Sequence, residues 1–385
     1  MLYKSYSYIL LLLAGFGLNA AVCADPGTSP PATRQAAVDQ LLNGPSTAGY
    51  ERAYHSREFR FPEDHGPHPR FRNEWWYFTG NLATAQGRRF GYELTIFRSA
   101  IKPTPTPSPS AWRQEQFYTA HLALTDVSGK RFYAVERHSR PALGLAGAQA
   151  QPFHVWLEDW QISAVFDSTP FPIRLKATHG DIAIDLELEQ GKSPVLQGDR
   201  GLSQKSAEPG NASYYYSLTR MPTRGNVRVS AEEHPVSGDS WMDREWSTSA
   251  LGKDQIGWDW FALQLSDGRE LMYYQLRRHD GGIGDLSAGT LVRADGTTER
   301  LAKNDVRIEV LDRWRNAEGA DYPARWRLEL PERGLSLEIV PLLADQELKL
   351  SARYWEGAVS ISGQQNGAPL AGQGYVELVG YARKP

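Results

Sequence analysis

The feature that most constrains the fold is an aromatic segment that occurs twice in the chain. Residues 73–82 read NEWWYFTGNL and residues 257–265 read GWDWFALQL. Trp75 and Trp258 are 183 positions apart (258 − 75 = 183). Each copy continues through a Gly-Arg pair into a second apolar segment, as a β-hairpin does. A period of this length is too long for a solenoid unit, so the repeat predicts two related domains.

Composition favours an all-β architecture for both domains. The 385 residues include 35 Gly, 24 Pro, 12 Trp and 18 Tyr, a mixture typical of short strands and tight turns. Short apolar runs between turn residues recur in both halves and predict two barrels of roughly eight strands, each closed to hide its edges. The formal net charge of −3 argues against nucleic acid or an anionic membrane as a partner.

The first residues have the pattern of a targeting signal. Lys4 precedes an apolar run at 9–18 that is too short to span a bilayer, and residues 22–24 fit the small-x-small cleavage rule. We therefore predict a signal peptide at 1–24, cleavage after Ala24, no transmembrane anchor, and a periplasmic or secreted protein. The alternative is a lipoprotein acylated at Cys23, the only cysteine, although Val22 is bulkier than a lipobox requires.

The mature chain is predicted to have three parts. A stretch at 25–53, rich in Pro, Ala and Ser in its first half, indicates a flexible N-terminal arm. The first barrel domain is predicted at 54–235 and the second at 236–385. Each domain contains one copy of the aromatic hairpin.

Carboxylates beside tryptophans are the clearest chemical signal. If the segment around Asp243 is a strand, Trp241, Asp243 and Glu245 share one face. Burial against indole rings raises the pKa of a carboxyl group, which can then deliver a proton to an alkene or enol near neutral pH. Facing aromatic rings would stabilise the resulting cation. Asp243 and Glu245 are therefore candidate catalytic residues; the alternative is structural pairing with arginines at a domain interface.

Further aromatic and acidic residues are candidates for contact with a substrate. They come from both copies of the repeat, the segment around Asp243 and a motif in the last quarter: Glu74, Trp75, Trp76, Tyr77, Trp241, Trp246, Trp258, Trp260, Tyr354 and Trp355. Strand alternation sends Trp75 and Tyr77 to one face and their neighbours to the other. One set would pack a barrel interior, and the other would face the partner domain or a ligand.

Histidines give one catalytic candidate. His121 lies on a predicted strand, where it is either a hydrogen-bonded barrel residue or a general base in the cleft. His65 and His68 lie on a Pro/Gly loop, which favours a structural cap over a metal site. The sequence has no phosphate loop or dinucleotide glycine pattern, and no cofactor or metal is expected.

Four tryptophan-rich motifs together resemble one family. They lie at 74–80 (EWWYFTG), 241–246 (WMDREW), 257–261 (GWDWF) and 354–357 (YWEG), and residues 374–381 fit the same pattern. From about Phe61 to its end, the chain resembles the AttH-like, carotenoid 1,2-hydratase-like family. The resemblance implies two consecutive lipocalin-like β-barrel domains related by internal duplication, and it raises Asp243 as the acid. The wider family includes carotenoid and phytoalexin hydratases, pericyclase-like enzymes and exported proteins often labelled predicted secreted hydrolases.

Two functional classes remain open. The first is an exported cofactor-independent hydratase or isomerase that protonates a large apolar substrate such as a terpenoid, polyene or acyl chain. Serine-hydrolase chemistry is not supported, because the sequence has no Gly-x-Ser-x-Gly elbow. The second is a lipocalin-like carrier of an apolar ligand in the cell envelope, with an export system as a partner. A protonated acid inside a cavity would indicate the enzyme, whereas arginine-paired carboxylates away from any cavity would favour the carrier.

Overall fold

The computed structural model describes residues 47–104, 110, 115–248 and 251–382, most of which lie in β-strands. The predicted signal peptide and residues 25–46 of the predicted arm lie outside the described residues. In the described residues, four single-turn 3-10 helices interrupt the strands, at Glu63–His65, Ala142–Gly144, Lys303–Asp305 and Pro331–Arg333. Within the described ranges, no helix is long and apolar enough to cross a membrane.

The part of the chain that the structure describes contributes 13 strands to the first sheet. They are β1 (Asn73–Ala83), β2 (Arg89–Ala100), β3 (Gln116–Asp126), β4 (Arg131–Ser139), β5 (Ala146–Gln149), β6 (His154–Leu157), β7 (Trp160–Phe166), β8 (Thr169–His179), β9 (Ile182–Leu188), β10 (Val195–Leu196), β11 (Leu202–Gln204), β12 (Ala212–Val229) and β13 (Glu232–Ser247). Their order is β4-β3-β2-β1-β13-β12-β9-β8-β7-β6-β5, and β10 and β11 pair with β12.

The second sheet has 10 strands among the described residues. They are β14 (Gln255–Leu265), β15 (Glu270–Arg278), β16 (Ala288–Val292), β17 (Thr298–Ala302), β18 (Arg307–Arg315), β19 (Asp321–Leu330), β20 (Leu335–Pro341), β21 (Glu347–Lys349), β22 (Arg353–Gln365) and β23 (Ala368–Val379). Their order is β17-β16-β15-β14-β23-β22-β20-β19-β18, and β21 pairs with β22.

Both sheets follow the same path, which confirms the predicted duplication. In each sheet a four-stranded meander is joined through its first strand, β1 or β14, to the last strand of the sheet, β13 or β23. That last strand also pairs with the strand before it, β12 or β22. Trp75 in β1 and Trp258 in β14 therefore hold equivalent positions. The predicted all-β fold with two consecutive lipocalin-like domains is confirmed.

Each sheet wraps around one apolar core. Leu122 in β3 and Val155 in β6 belong to a single buried cluster, although their strands lie far apart along the first sheet. In the second sheet, Leu291 in β16 and Leu328 in β19 likewise belong to one buried cluster although their strands lie far apart. A sheet whose distant strands meet in one core must curve as a barrel does. The prediction of closed barrels of roughly eight strands each was wrong in two respects. The described parts of the sheets have 13 and 10 strands, and the described edge strands of each sheet are not hydrogen-bonded to each other.

Strand β13 lies across the predicted division between the domains. It pairs with β1 on one side and β12 on the other, and both belong to the first sheet. The sheet therefore changes between Ser247 and Gln255, whereas the predicted division at 235/236 falls inside β13. Ser230 and Ala231, both with positive φ, form the tight turn that returns the chain to the first sheet.

The two sheets pack against each other through the faces turned away from their cores. Asn81 Nδ2 donates a hydrogen bond to the Gly374 carbonyl oxygen at 2.9 Å. Gly91 allows a close approach, because a Cβ there would lie 2.5 Å from the Cβ of Ala358. The candidate site lies between these packed faces.

Candidate active site

A cavity of about 130 Å³ lies between the two sheets, and aromatic residues form much of its wall. Eight of the predicted site residues line it: Trp75, Tyr77, His121, Asp243, Glu245, Trp258, Trp260 and Tyr354. The predicted alternation along β1 is confirmed, because Trp75 and Tyr77 face the cavity while Trp76 packs in the first core.

Asp243 lies in the cavity wall and forms no salt bridge with any described residue. Its Oδ1 accepts hydrogen bonds from Trp241 Nε1 at 2.7 Å and Ser217 Oγ at 2.5 Å, and its Oδ2 accepts one from the Tyr215 hydroxyl. Burial raises the pKa of Asp243 to about 7, although the three donors act in the opposite direction. A carboxyl group with this pKa can give up or take a proton near neutral pH.

Glu245 is held by a lysine that also lines the cavity. Lys205 Nζ lies 3.1 Å from Glu245 Oε1 and 4.6 Å from the ring centroid of Tyr274. Burial lowers the pKa of Lys205, but Glu245, Tyr274 and Asp243 together outweigh that effect and leave the pKa raised. Lys205 therefore keeps a positive charge on the cavity wall.

His121 reaches the cavity from β3. Its Nδ1 lies 2.7 Å from the Tyr354 hydroxyl of the second sheet, and its Nε2 lies 4.0 Å from Glu136 Oε2. Burial lowers the pKa of His121 to about 4. The imidazole is therefore neutral near neutral pH. It has the hydrogen bond expected of a barrel residue and also the position of a proton acceptor at the cavity.

Two more carboxyl groups face the cavity from the second sheet. Glu377 in β23 accepts a hydrogen bond from Trp258 Nε1 at 2.9 Å, and Glu356 in β22 accepts one from the Tyr77 hydroxyl at 2.5 Å. Burial raises the pKa of both carboxyl groups. The cavity therefore brings together more carboxyl groups than basic groups, which favours the retention of protons.

Several of these cavity residues carry no signal in the sequence that indicates a site. Lys205 and Tyr215 lie outside the tryptophan-rich motifs, and no local pattern distinguishes them. Glu356 and Glu377 lie within motifs that indicated the family and not the site. Strand register could have identified Glu377 as a site residue. If the strand that contains residues 374–379 is paired with the second aromatic segment, Glu377 lies opposite Trp260.

Glu74 was predicted to contact a substrate, but the structure places it away from the cavity. Alternation along β1 turns it to the face opposite Trp75, where it is fully buried between the guanidinium groups of Arg98 and Arg244. Burial alone would raise its pKa, but the two arginines outweigh it and hold the pKa of Glu74 well below its usual range. Its role is therefore structural.

Four predicted tryptophans also lie outside the cavity lining. Trp76 and Trp355 pack in the cores of their sheets. Trp246 stacks on the His68 ring with centroids 3.7 Å apart. Alternation explains the positions of Trp76, Trp355 and Trp246, since each follows directly after a residue that faces the cavity. Trp241 donates a hydrogen bond to Asp243, and its ring meets that of Trp260 edge to face with centroids 6.2 Å apart.

Arginines near the site bind other carboxylates. Arg277 Nε lies 2.9 Å from Asp259 Oδ1, and Arg220 Nε lies 2.7 Å from Glu270 Oε1. Arg277 and Arg220, which could have paired with Asp243 or Glu245, therefore pair with Asp259 and Glu270 instead. No group of three or more His, Asp or Glu side chains in the described part of the chain is arranged to hold a metal ion.

Comparisons with known proteins agree with this architecture. The AttH-like family model matches residues 52–381. An AttH protein from Nitrosomonas europaea has a similar structure, with 33% identity, coverage of 86% of this chain and 100% of its own, and a TM-score of 0.77. Comparison with curated proteins gave no significant match.

Two more distant solved structures share the fold. Kievitone hydratase from Nectria haematococca is 16% identical over 86% of this chain and 96% of its own, with a TM-score of 0.65. CghA is 15% identical over 90% of this chain and 97% of its own, with a TM-score of 0.51. Because the family match spans nearly the whole described chain, the protein belongs to the AttH-like family.

Proposed function

We propose that the protein is an exported, cofactor-independent hydratase or isomerase that protonates a carbon–carbon double bond of an apolar substrate. One observation carries the proposal: Asp243 lies in an aromatic cavity, forms no salt bridge with any described residue, and its pKa is raised by burial to about 7. Kievitone hydratase has the same fold and is named for water addition, which supports the reaction class. Export rests on the predicted signal peptide at 1–24.

The proposed reaction begins with proton transfer from Asp243. The π electrons of the double bond form a C–H bond with the acid proton, Asp243 becomes a carboxylate, and the neighbouring carbon becomes cationic. Water then adds to the cation, or an adjacent C–H bond loses its proton, and a proton returns to the site. The first outcome is hydration and the second is isomerisation.

The cavity walls suit a cationic intermediate. The rings of Tyr77 and Trp260 meet edge to face with centroids 5.3 Å apart, and Trp260 Nε1 donates to the Tyr215 hydroxyl at 3.2 Å. These contacts fix the rings in place before a substrate binds. A cation near such ring faces gains about 0.5–2 kcal/mol.

Cavity size limits which part of the substrate is enclosed. A volume of about 130 Å³ is close to that of a cavity of about 150 Å³ that holds one benzene molecule. A terpenoid, polyene or acyl chain would therefore bury its reacting end, while the rest of the molecule extends past the cavity. The carrier alternative accounts for the apolar walls but not for unpaired carboxyl groups among them.

Product formation tests the proposal directly. Mature protein is incubated with a lipid extract of the source organism in water labelled with heavy oxygen, and the products are followed by chromatography and mass spectrometry. We expect a labelled hydrate, or an isomer of unchanged mass, that heat-denatured protein does not form. Retention of an unaltered apolar compound would support the carrier instead.

Cation stabilisation gives a prediction that needs no substrate. Benzyltrimethylammonium, a ring-sized mimic of a carbocation, should bind about tenfold more tightly than its neutral isostere neopentylbenzene, since cation–π attraction adds on the order of 1.4 kcal/mol. Calorimetry measures both affinities. Trp260→Leu should remove most of the difference, whereas equal affinities in the wild type would contradict a cation-stabilising cavity.

A further inference from the structure

The internal duplication places a second acid in the position equivalent to Asp243. The offset of 183 that relates Trp75 to Trp258 also relates Tyr77 to Trp260 (260 − 77 = 183). Tyr77 in β1 is directly opposite Asp243 in β13, and Trp260 in β14 is directly opposite Glu377 in β23. Asp243 and Glu377 therefore occupy the same register position in the two halves of the molecule.

Both equivalent acids face the same cavity. Directly opposite residues of antiparallel strands point to one face of their sheet, so each acid lies on the face of its aromatic partner. Asp243 and Glu377 both line the cavity, one from each sheet. The negative charge of Asp243 adds to burial in raising the pKa of Glu377, as expected of two carboxyl groups that share one space.

Glu377 has a neighbour that Asp243 lacks. In the first half Ser217 is opposite Asp243, and in the second half Glu356 is opposite Glu377. Glu356 is 1% exposed and lines the cavity, and its Oε2 has no hydrogen-bond partner among the described residues. Glu93 is also fully buried, and its charge adds to burial in raising the pKa of Glu356.

We propose that Glu377, with Glu356 beside it, is the second proton-transfer group of the site and accepts the proton that the reaction releases. This inference rests on the proposed function. Asp243 gives a proton to the substrate carbon and becomes a carboxylate. When water adds to the cation, its oxygen forms the C–O bond and its surplus proton passes to the Glu377 carboxylate. In isomerisation the adjacent C–H bond breaks, its electrons form the new double bond, and its proton passes to Glu377.

The cycle closes when that proton moves from Glu377 to Asp243. Alkene and water are then consumed and alcohol is formed, or the double bond has shifted, with no net change in the protein. Glu356 acts as a positioning residue, because its like charge discourages ionisation of both glutamates at once. The pair therefore holds one proton while remaining able to accept another.

Two variants separate the two acids. The lipid extract is incubated in deuterated water, and mass spectrometry measures product and deuterium in the unreacted compound. Asp243 can deuterate the double bond and take back a hydrogen from the same carbon, which labels the compound without forming product. Glu377→Gln should lower product formation at least about 100-fold and retain this label, while Asp243→Asn should lose both.

Controls keep the outcomes distinct. Glu347→Gln removes a buried glutamate of the same sheet that accepts a hydrogen bond from the Tyr322 hydroxyl at 2.9 Å but lies outside the cavity lining. It should retain both product and label. If Glu377→Gln does not fold, Glu377→Asp retracts the carboxyl group and should show the same loss of product with retained label. Wild-type product formation by either Glu377 variant overturns this inference alone. Absence of both product and label with wild-type protein overturns the proposed function and this inference with it.

Discussion

Asp243→Asn is expected to lower product formation by about 10²- to 10⁴-fold, the usual contribution of a positioned general acid. The amide keeps the shape of the side chain and can still accept hydrogen bonds from Trp241, Ser217 and Tyr215, but it has no acidic proton. Folding should be retained, which circular dichroism and thermal unfolding would measure. Normal turnover in the folded variant would contradict the assignment of Asp243 as the acid.

The same variant should change how stability depends on pH. Because burial raises the folded-state pKa of Asp243 from 3.8 to about 7, the folded protein binds the extra proton and is favoured at acidic pH. That contribution, up to about 4 kcal/mol, is fully present below about pH 3.8 and is lost progressively as pH rises to about 7. The free energy of unfolding of Asp243→Asn should therefore not show this decrease with pH that the wild type shows. Asp126→Asn is the matched control, since it removes a buried aspartate that pairs with Arg88 and does not line the cavity.

Glu74→Gln is expected to cost about 3–5 kcal/mol of folding free energy, the range for breaking a fully buried ion pair. Glu74 accepts from both Arg98 and Arg244, and its removal leaves two buried guanidinium groups without their counter-charge. Urea unfolding measures the change. The affinity of the folded variant for benzyltrimethylammonium should equal that of the wild type, because Glu74 does not line the cavity.

An exposed ion pair is the control for Glu74. Glu338 lies 2.6 Å from Arg325, and both side chains are partly exposed. Glu338→Gln should cost no more than about 1 kcal/mol. A Glu74→Gln variant as stable as Glu338→Gln, or one that loses ligand binding without losing stability, would contradict the structural role.

Sequence predicted the fold and one side of the site because both depend on local patterns. The repeated aromatic segment indicated the duplication, and period-two alternation placed Trp75 and Tyr77 on one face of β1, which the structure shows to be the cavity face. The same alternation placed Asp243 and Glu245 together. These inferences need only neighbouring residues on one strand, where side-chain direction follows from position.

The rest of the site depends on contacts that no local pattern contains. Lys205 meets Glu245 only after the chain returns through β12 and β13, and Tyr354 meets His121 only where the two sheets pack. The buried Arg98–Glu74–Arg244 cluster is likewise set by tertiary pairing. Glu74 was misplaced because an acid beside tryptophans looks the same in sequence on either face of a strand.

The protonation state of Asp243 is the most direct test of the account. Infrared difference spectra between the wild type and Asp243→Asn, recorded across pH, isolate the carbonyl stretch of this one carboxylic acid. We predict that the band of the protonated acid is present in mildly acidic solution and disappears as pH rises through about 7. A band that disappears near pH 3.9, the ordinary value for aspartic acid, would show an ionised carboxylate throughout the working range and contradict acid catalysis by Asp243.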